Sequence, residues 1–351
     1  MQKLLSSLIL FLFFVALNAQ TNQDKVYHLV CVGFYNIENL YDTIDDPLTN
    51  DEEFLPNGAK KWNSHKYKDK LSKLSKVISQ LGTEKTPEGV SVIGLAEVEN
   101  TSVLQDLVST DGLRQRNMGI VHFDGPDRRG VDVALLYRKD HFKVLSTRTV
   151  TLINPENEKF RTRDQLLVTG ELFGERMHFM VAHWPSRRGG EKRSAPLRML
   201  AAKLGKMVID SIMREEPGAK IIYMGDLNDD PVNKSLTEGL MAKGSPDKLM
   251  DGELFNASWK LYKDGIGTLA WNDAWNLFDQ MVITHRLLND PDNGFVYHKK
   301  LVFNKPFVKQ QEGNFKGYPF RSFVGDRYDG GYSDHFAVYM FLKREVSNPQ
   351  K

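Results

Sequence analysis

Met224-Gly225-Asp226-Leu227-Asn228-Asp229-Asp230-Pro231 is the stretch on which the reading of this chain turns. Lys220-Ile221-Ile222-Tyr223, just before it, is a short apolar run of the kind a buried strand shows. Gly225 lets the backbone turn, Asp226 and Asn228 follow at i and i+2, and Pro231 forbids further pairing. Reactive groups collect on loops that leave strand ends, where a rigid scaffold holds them. A carboxylate and an amide so placed suit orienting a water and stabilising charge on a phosphate. The same two residues also serve an ordinary Asx-type turn, whose hydrogen bonds are local. The surrounding chain has to separate the two readings.

Working outward, other apolar runs also end in polar groups. His28–Tyr35 reads as a strand that delivers Asn36, placed to meet a phosphate or a metal-bound water. Val90–Leu95 delivers Ala96-Glu97-Val98-Glu99. Of the two carboxylates, Glu97 is expected to point inward as a hard-metal ligand, and Glu99 outward as a surface or helix-start charge. Val131–Tyr137 is a strand carrying Asp132, which needs a partner if buried. Arg161 and Arg163 lead into a strand over Gln165–Thr169, and Met177–Ala182 ends in His183. Trp275–Ile283 reads as a strand with Asp279 inside it, and Ser333-Asp334-His335 enters the last strand, Phe336–Phe341. Helical spacing marks Tyr67–Leu81, and a second helix is expected from Ser194 as N-cap, with Pro196 in its first turn. Strands and helices alternate without repeats or a linker, which predicts one α/β domain over residues 26–345.

The chain has 351 residues, is 41% hydrophobic and 26% charged, and carries a net charge of only +2. Such a balance excludes an overall basic field, so any nucleic-acid contact must be local. Met1-Gln2-Lys3, the apolar run Leu4–Leu17 and Asn18-Ala19-Gln20 predict a signal peptide over residues 1–19 and export to the periplasm or outside the cell. Cys31 is the only cysteine, so no internal disulfide forms, and its apolar flanks predict a small buried side chain.

Asn36, Leu95-Ala96-Glu97-Val98, His183-Trp184-Pro185-Ser186, Met224-Gly225-Asp226-Leu227-Asn228 and Ser333-Asp334-His335, in that order, resemble the endonuclease/exonuclease/phosphatase superfamily, the group of deoxyribonuclease I. The resemblance spans about Val26 to Leu342, and the surroundings of Pro185–Gly190 and Gly331–Phe336 are similar to exported members from Bacteroidetes-type bacteria. It implies a four-layer α/β/β/α sandwich of two mixed sheets. Glu97 then matches the divalent-metal ligand, with Asn36 and Asp334 beside it; Mg²⁺ or Mn²⁺ is implied, with Ca²⁺ as a further choice. Asp226 matches the residue that orients or deprotonates the attacking water, and Asn228 one that holds the transition state. His335 matches a catalytic histidine whose tautomer Asp279 fixes, and His183 a histidine on the phosphate, as in the deoxyribonuclease I branch. Asp132 lies near the position of a carboxylate supporting that first histidine, and Arg163 near a phosphate-contacting arginine. The strand that often ends Gln-Glu in the family ends here in Ala96-Glu97.

The implied enzyme is a metal-dependent phosphoric ester hydrolase, and the first expectation for its substrate is DNA or RNA. Arg128, Arg129, Arg187, Arg188, Lys192 and Arg193 lie on loops next to site residues, where a basic rim would track a phosphodiester backbone. Trp184, Trp271, Tyr318, Phe320, Tyr328 and Tyr332 are candidates for stacking bases. The alternative is a sphingomyelinase-like or inositol-phosphate-type enzyme acting on membrane lipid or a small phosphate ester. That reading needs an exposed apolar hairpin, with Leu301–Phe307 and Gly317–Phe323 as the candidate. No protein partner is predicted.

Overall fold

Along β1 (Val26–Leu40), Val30, Val32 and Phe34 face one way and Cys31, Tyr35 and Ile37 the other. Both sets are buried, so this strand must lie in a sheet covered on each face. The computed structural model describes residues 25–346 apart from Lys248 and Asn272; the expected leader over residues 1–19 falls outside the described residues. After β1 come α1 (Ser64–Ile78), β2 (Val90–Val98), α2 (Thr101–Ser109), β3 (Met118–His122), β4 (Asp132–Arg138), β5 (Phe142–Val150), β6 (Gln165–Leu172) and β7 (Glu175–His183). Then follow α3 (Glu191–Glu215), β8 (Ile221–Asp226), β9 (Ala242–Lys243), β10 (Leu254–Asn256), α4 (Trp259–Lys263), β11 (Leu269–Trp271) and β12 (Ala274–Asn276). The chain closes with β13 (Asp279–Thr284), β14 (Val296–Val302), β15 (Phe323–Val324), β16 (Arg327–Tyr328) and β17 (Val338–Val346).

Two mixed sheets result, ordered β14-β17-β1-β2-β4-β3 and β5-β6-β7-β8-β13-β10-β9. Their facing sides share one apolar layer, in which Val32, Phe34, Val92 and Leu135 meet Val168, Phe179, Met224 and Met281. Outside the first sheet, Leu71, Leu74 and Ile78 of α1 and Leu104 and Leu107 of α2 cover Cys31, Tyr35 and Leu95. Outside the second, Ala201, Val208 and Ile209 of α3 cover Met180, Ala182 and Tyr223. The architecture is the expected four-layer α/β/β/α sandwich. Cys31 is buried as expected, and burial raises its thiol far above the usual range.

Register then assembles the site. β1 and β2 are parallel, which sets Asn36 beside Ala96. β7 and β8 are parallel, which sets His183 beside Asp226, and antiparallel β13 places Asp279 against Asp226. Polar strand ends far apart in sequence therefore meet at one edge of the sandwich.

Several local expectations differ from the structure. α1 begins earlier, at Ser64, because the Asn63 side chain accepts from the His65 and Lys66 amides. α3 begins at Glu191, so Ser194 lies inside its first turn instead of capping it; Gly190 occupies the cap with φ 110°. The run Trp275–Ile283 is split between β12 and β13. Phe303 is buried, and Leu301, Phe307, Phe320 and Phe323 pack on the same core, so the side chains of 301–307 and 317–323 form no free apolar tip, although Phe315 between them is exposed. Trp184 is likewise buried, its indole N–H donating to the Tyr223 hydroxyl (2.7 Å), and Tyr332 is buried; neither is open to a base.

Candidate active site

Asp226 is the last residue of β8, and its two oxygens do different work. Oδ1 accepts the Asn228 amide (3.1 Å), which is the local turn bond. Oδ2 faces the sandwich edge, accepts Asn36 Nδ2 (3.0 Å), and lies 3.5 Å from His183 Nε2 and 3.8 Å from His335 Nε2. The turn and the site are thus one structure. Asn228 takes a left-handed conformation (φ 51°), and its Nδ2 donates to the Trp184 carbonyl (3.0 Å).

The two histidines are driven apart electrostatically. His335 Nδ1 sits 2.7 Å from Asp279 Oδ2, on a carboxylate with no solvent exposure, as the resemblance implied. Burial opposes charge on His335, but Asp279 and Asp226 outweigh it and hold its proton well above the usual range. His183 is pushed well below that range by burial and by the nearby Arg163, Arg129 and His335 charges. Burial raises the Asp226 carboxyl to about 6, with the His335 charge pulling the other way. Neighbouring groups with pKa values pushed apart are the arrangement that proton transfer needs.

Glu97 reaches the same edge by a different route from simple alternation. β2 bulges between Ala96 and Val98, and Glu97 sits in the bulge with φ 67°. Its Oε2 accepts the Asn39 amide (2.9 Å), and Oε1 lies 3.9 Å from His183 Nε2. Asp334 Oδ2 accepts Arg321 (2.9 Å), while Oδ1 stands 4.0 Å from His335 Nε2. Asn36 Oδ1 accepts the Glu38 amide (3.0 Å). Glu97 Oε1 and Asp334 Oδ1 therefore remain for a ligand, and an all-oxygen set of this kind fits a hard divalent cation. Glu99, expected at the surface, is instead buried; its Oε2 accepts the Asp42 amide (2.6 Å), and burial raises its carboxyl to about 8.

Asp132 does not support His183. It opens β4 opposite Val98, beyond the bulge, and its Oδ2 lies 3.6 Å from His122 Nε2 on the adjoining strand. Arg163 and Arg187, expected on substrate phosphate, are committed to the protein. Arg163 is buried, with Nη1 on Asp127 (3.2 Å) and Nη2 on the Trp184 carbonyl (2.6 Å). Arg187 donates to the Asn228 carbonyl (2.9 Å) and to Asp229 (3.1 Å). Both brace the loops that carry site residues, whereas Arg188 is exposed.

Arg198 and Lys300 had not been singled out, and Arg129 had been expected only as one of several cations of the basic rim. Arg129 is half-exposed; burial works against its charge, but Glu97 and Asp127 strengthen it, which makes it the cation at the mouth of the site. The only sequence signal was its place in Asp127-Arg128-Arg129-Gly130. Arg198 is fully buried on α3, 2.8 Å from Asp229, and anchors the loop after Asp226; a charge amid an apolar helix face was its signal. Lys300 is buried behind Asp279, donating to Ser258 (2.7 Å) and to the Asp279 carbonyl (3.2 Å). Burial lowers its ammonium to about 7, and nothing in its sequence context marked it.

A family model described as the endonuclease/exonuclease/phosphatase family matches residues 31–344. The chain belongs to that family. The family's members are divalent-metal-dependent phosphoric ester hydrolases, and the chain is an enzyme of this class. Among solved structures, it is similar to a family member from Bacteroides thetaiotaomicron (15% identity, TM-score 0.54, covering 93% of this chain and 99% of that one). It is similar to TDP2 of D. rerio complexed with a single-strand DNA product (15%, TM-score 0.52, 90% and 98%). It is also similar to a mannosyl-6-phosphatase of B. thetaiotaomicron (16%, TM-score 0.52, 89% and 99%). At such identities the likeness is one of fold. No curated protein matches the chain.

Proposed function

We propose that this family member is an exported, divalent-metal-dependent phosphodiesterase that hydrolyses nucleic acid. The observation that carries the phosphodiesterase reading is the placing of two buried histidines within 3.5 and 3.8 Å of Asp226 Oδ2, with Asp279 on the far nitrogen of one of them. Asp226, ionised above about pH 6, takes the proton of the attacking water. Cationic His335, fixed by Asp279, donates to a phosphoryl or leaving oxygen as charge grows there. Neutral His183 and the Asn228 amide hydrogen-bond the phosphate, and Arg129 meets its outer oxygens. A divalent cation, Mg²⁺ or Mn²⁺, held by Glu97 and Asp334 beside Asn36, would supply Lewis-acid stabilisation of the negative charge.

The nucleic-acid substrate rests on exposed Arg128, Arg188, Lys192 and Arg193 around half-exposed Arg129, a cationic rim suited to a phosphodiester backbone. The DNA bound by the similar TDP2 structure supports it. A second reading, a lipid or small-molecule phosphate ester, is favoured by the commitment of Arg163 and Arg187 to the scaffold, which thins that rim. The similar mannosyl-6-phosphatase supports this one.

The test uses chain starting at Gln20, stripped of metal and supplied with Mg²⁺, Mn²⁺ or EDTA. Substrates are plasmid DNA, single-stranded RNA, sphingomyelin, phosphatidylinositol phosphates and bis-p-nitrophenyl phosphate. Metal-dependent, salt-sensitive nicking of plasmid is expected. Intact nucleic acid alongside cleaved lipid or small ester would move the assignment to the second reading.

A further inference from the structure

We infer that the protein holds a second divalent cation, of transition-metal type, at His122, Asp124 and Asp132, apart from the Glu97 site. One ligand atom from each of these three side chains lies within 4.8 Å of the others. A cluster of carboxylates alone would mean little, since such groups gather at many surfaces. The second observation is His122. Its side chain is 1% exposed, and Thr101 Oγ1 engages Nδ1 (3.0 Å). Nε2 is buried with no hydrogen-bond partner among the described residues, and it faces Asp132 Oδ2 at 3.6 Å. In the tautomer whose Nδ1–H donates to Thr101, Nε2 presents a lone pair to the space it shares with Asp132, the state a metal-bound imidazole adopts. The Asp132 side chain is only 6% exposed, and a Cβ on Gly125 would fall 2.4 Å from Asp132 Oδ1, so the loop backbone closes tightly over it.

Ligands about 2.1 Å from a shared metal are about 3 Å apart, so the His122–Asp132 pair is already near that spacing. Asp124 is 88% exposed; its Oδ1 now lies 3.9 Å from His122 Nδ1, and the side chain is free to swing to the Nε2 side as the third ligand, with water completing the shell. One imidazole with two carboxylates selects Zn²⁺, Mn²⁺ or Co²⁺ over Mg²⁺ or Ca²⁺, in contrast to the all-oxygen set around Glu97. The three residues bracket the loop between β3 and β4. That loop carries Asp127, which holds Arg163, and Arg129, which stands near Glu97. A cation here ties the loop's two ends together and so fixes both arginines at the active-site mouth.

Binding is measured on Glu97→Gln, which disables the catalytic metal site and leaves the second. Co²⁺ titration followed by its visible absorption is expected to show one equivalent bound. Adding Asp124→Asn or Asp132→Asn should weaken Co²⁺ at least fivefold; Asp124 is exposed, so its replacement leaves the fold intact. Zn²⁺ should also slow tryptic cleavage after Arg128 and Arg129 in Glu97→Gln, and not in the double variants. Absence of Co²⁺ binding up to millimolar concentration, or a change below fivefold in both double variants, would overturn the inference. Neither readout involves turnover, so a failed nuclease assignment would leave this result standing.

Discussion

Asp279→Asn tests the proposed division of labour between the histidines. The substitution keeps a hydrogen-bonding group on His335 Nδ1 and removes the charge now 2.7 Å away. With charges centred about 4 Å apart and an effective dielectric near 20, the lost attraction is about 4 kcal/mol. Asp226 and Asp334 remain 3.8 and 4.0 Å from Nε2, so part of the upward shift survives. His335 should therefore lose its proton at lower pH in the variant, because burial, which opposes its charge, is then countered by Asp226 and Asp334 without Asp279. The sign follows directly. A histidine raised by its partner keeps its proton as pH rises until the folded pKa is passed, so the wild-type rate should stay level through neutrality. The variant should instead lose rate with rising pH, falling at least about tenfold behind wild type at pH 8 and recovering part of that deficit at pH 6. The assay is kcat/KM on bis-p-nitrophenyl phosphate from pH 5.5 to 9 at saturating Mn²⁺, with a melting curve as a check on folding. A variant within threefold of wild type at pH 8, with an unchanged profile, would refute the assignment of His335 as the cationic donor.

Four further outcomes follow from the same geometry. Asp226→Asn should lower kcat by about 10³ or more while leaving melting temperature equal or higher near pH 7, because a buried, half-neutralised charge is removed. Glu99→Gln should matter little at pH 4.5 and become progressively stabilising as pH rises toward 8, by about 2 kcal/mol in urea melts; the raised carboxyl costs the folded state most once it must ionise. Arg129→Ala should raise KM for plasmid DNA about tenfold with little change in kcat, and flatten the salt dependence, whereas Arg187→Ala should chiefly lower thermal stability because it braces Asn228 and Asp229.

The site was legible in the sequence where a polar residue interrupts an apolar run. Asn36, His183, Asp226 and Asp279 stand out in this way, and register brings them together. Other features depend on pairing between distant segments. Asp127 could have served any of several arginines, and the fold gives it Arg163, which removes that side chain from the substrate. Asp132 pairs opposite Val98, beyond the bulge in β2, and the adjoining strand gives it His122 in place of His183. β5 escaped notice because much of it is exposed and shows no apolar period, and Lys300 because burial of its ammonium rests on Ser258 and Asp279 from other strands.

Glu97 was the inward residue expected, but alternation was not the cause. Glu38, Asn39, Glu97 and Asn228 all have positive φ, between 51° and 67°, and all lie within a few residues of the catalytic groups. Such backbones are costly outside glycine, by about 1 to 3 kcal/mol each at the strained end, and they persist only where the surroundings hold them. Here the holding bonds are identifiable: Asn39 N to Glu97, Glu38 N to Asn36, and Asn228 Nδ2 to the Trp184 carbonyl. Each ties one strand end to itself or to its neighbour. A regular strand would send Glu97 and Glu99 to the same face, and one rigid edge could not then turn Glu97 toward His183 while burying Glu99 against the Asp42 amide. The bulge separates them. The periodic pattern therefore locates the strand, and the departure from it assigns the two glutamates their different environments.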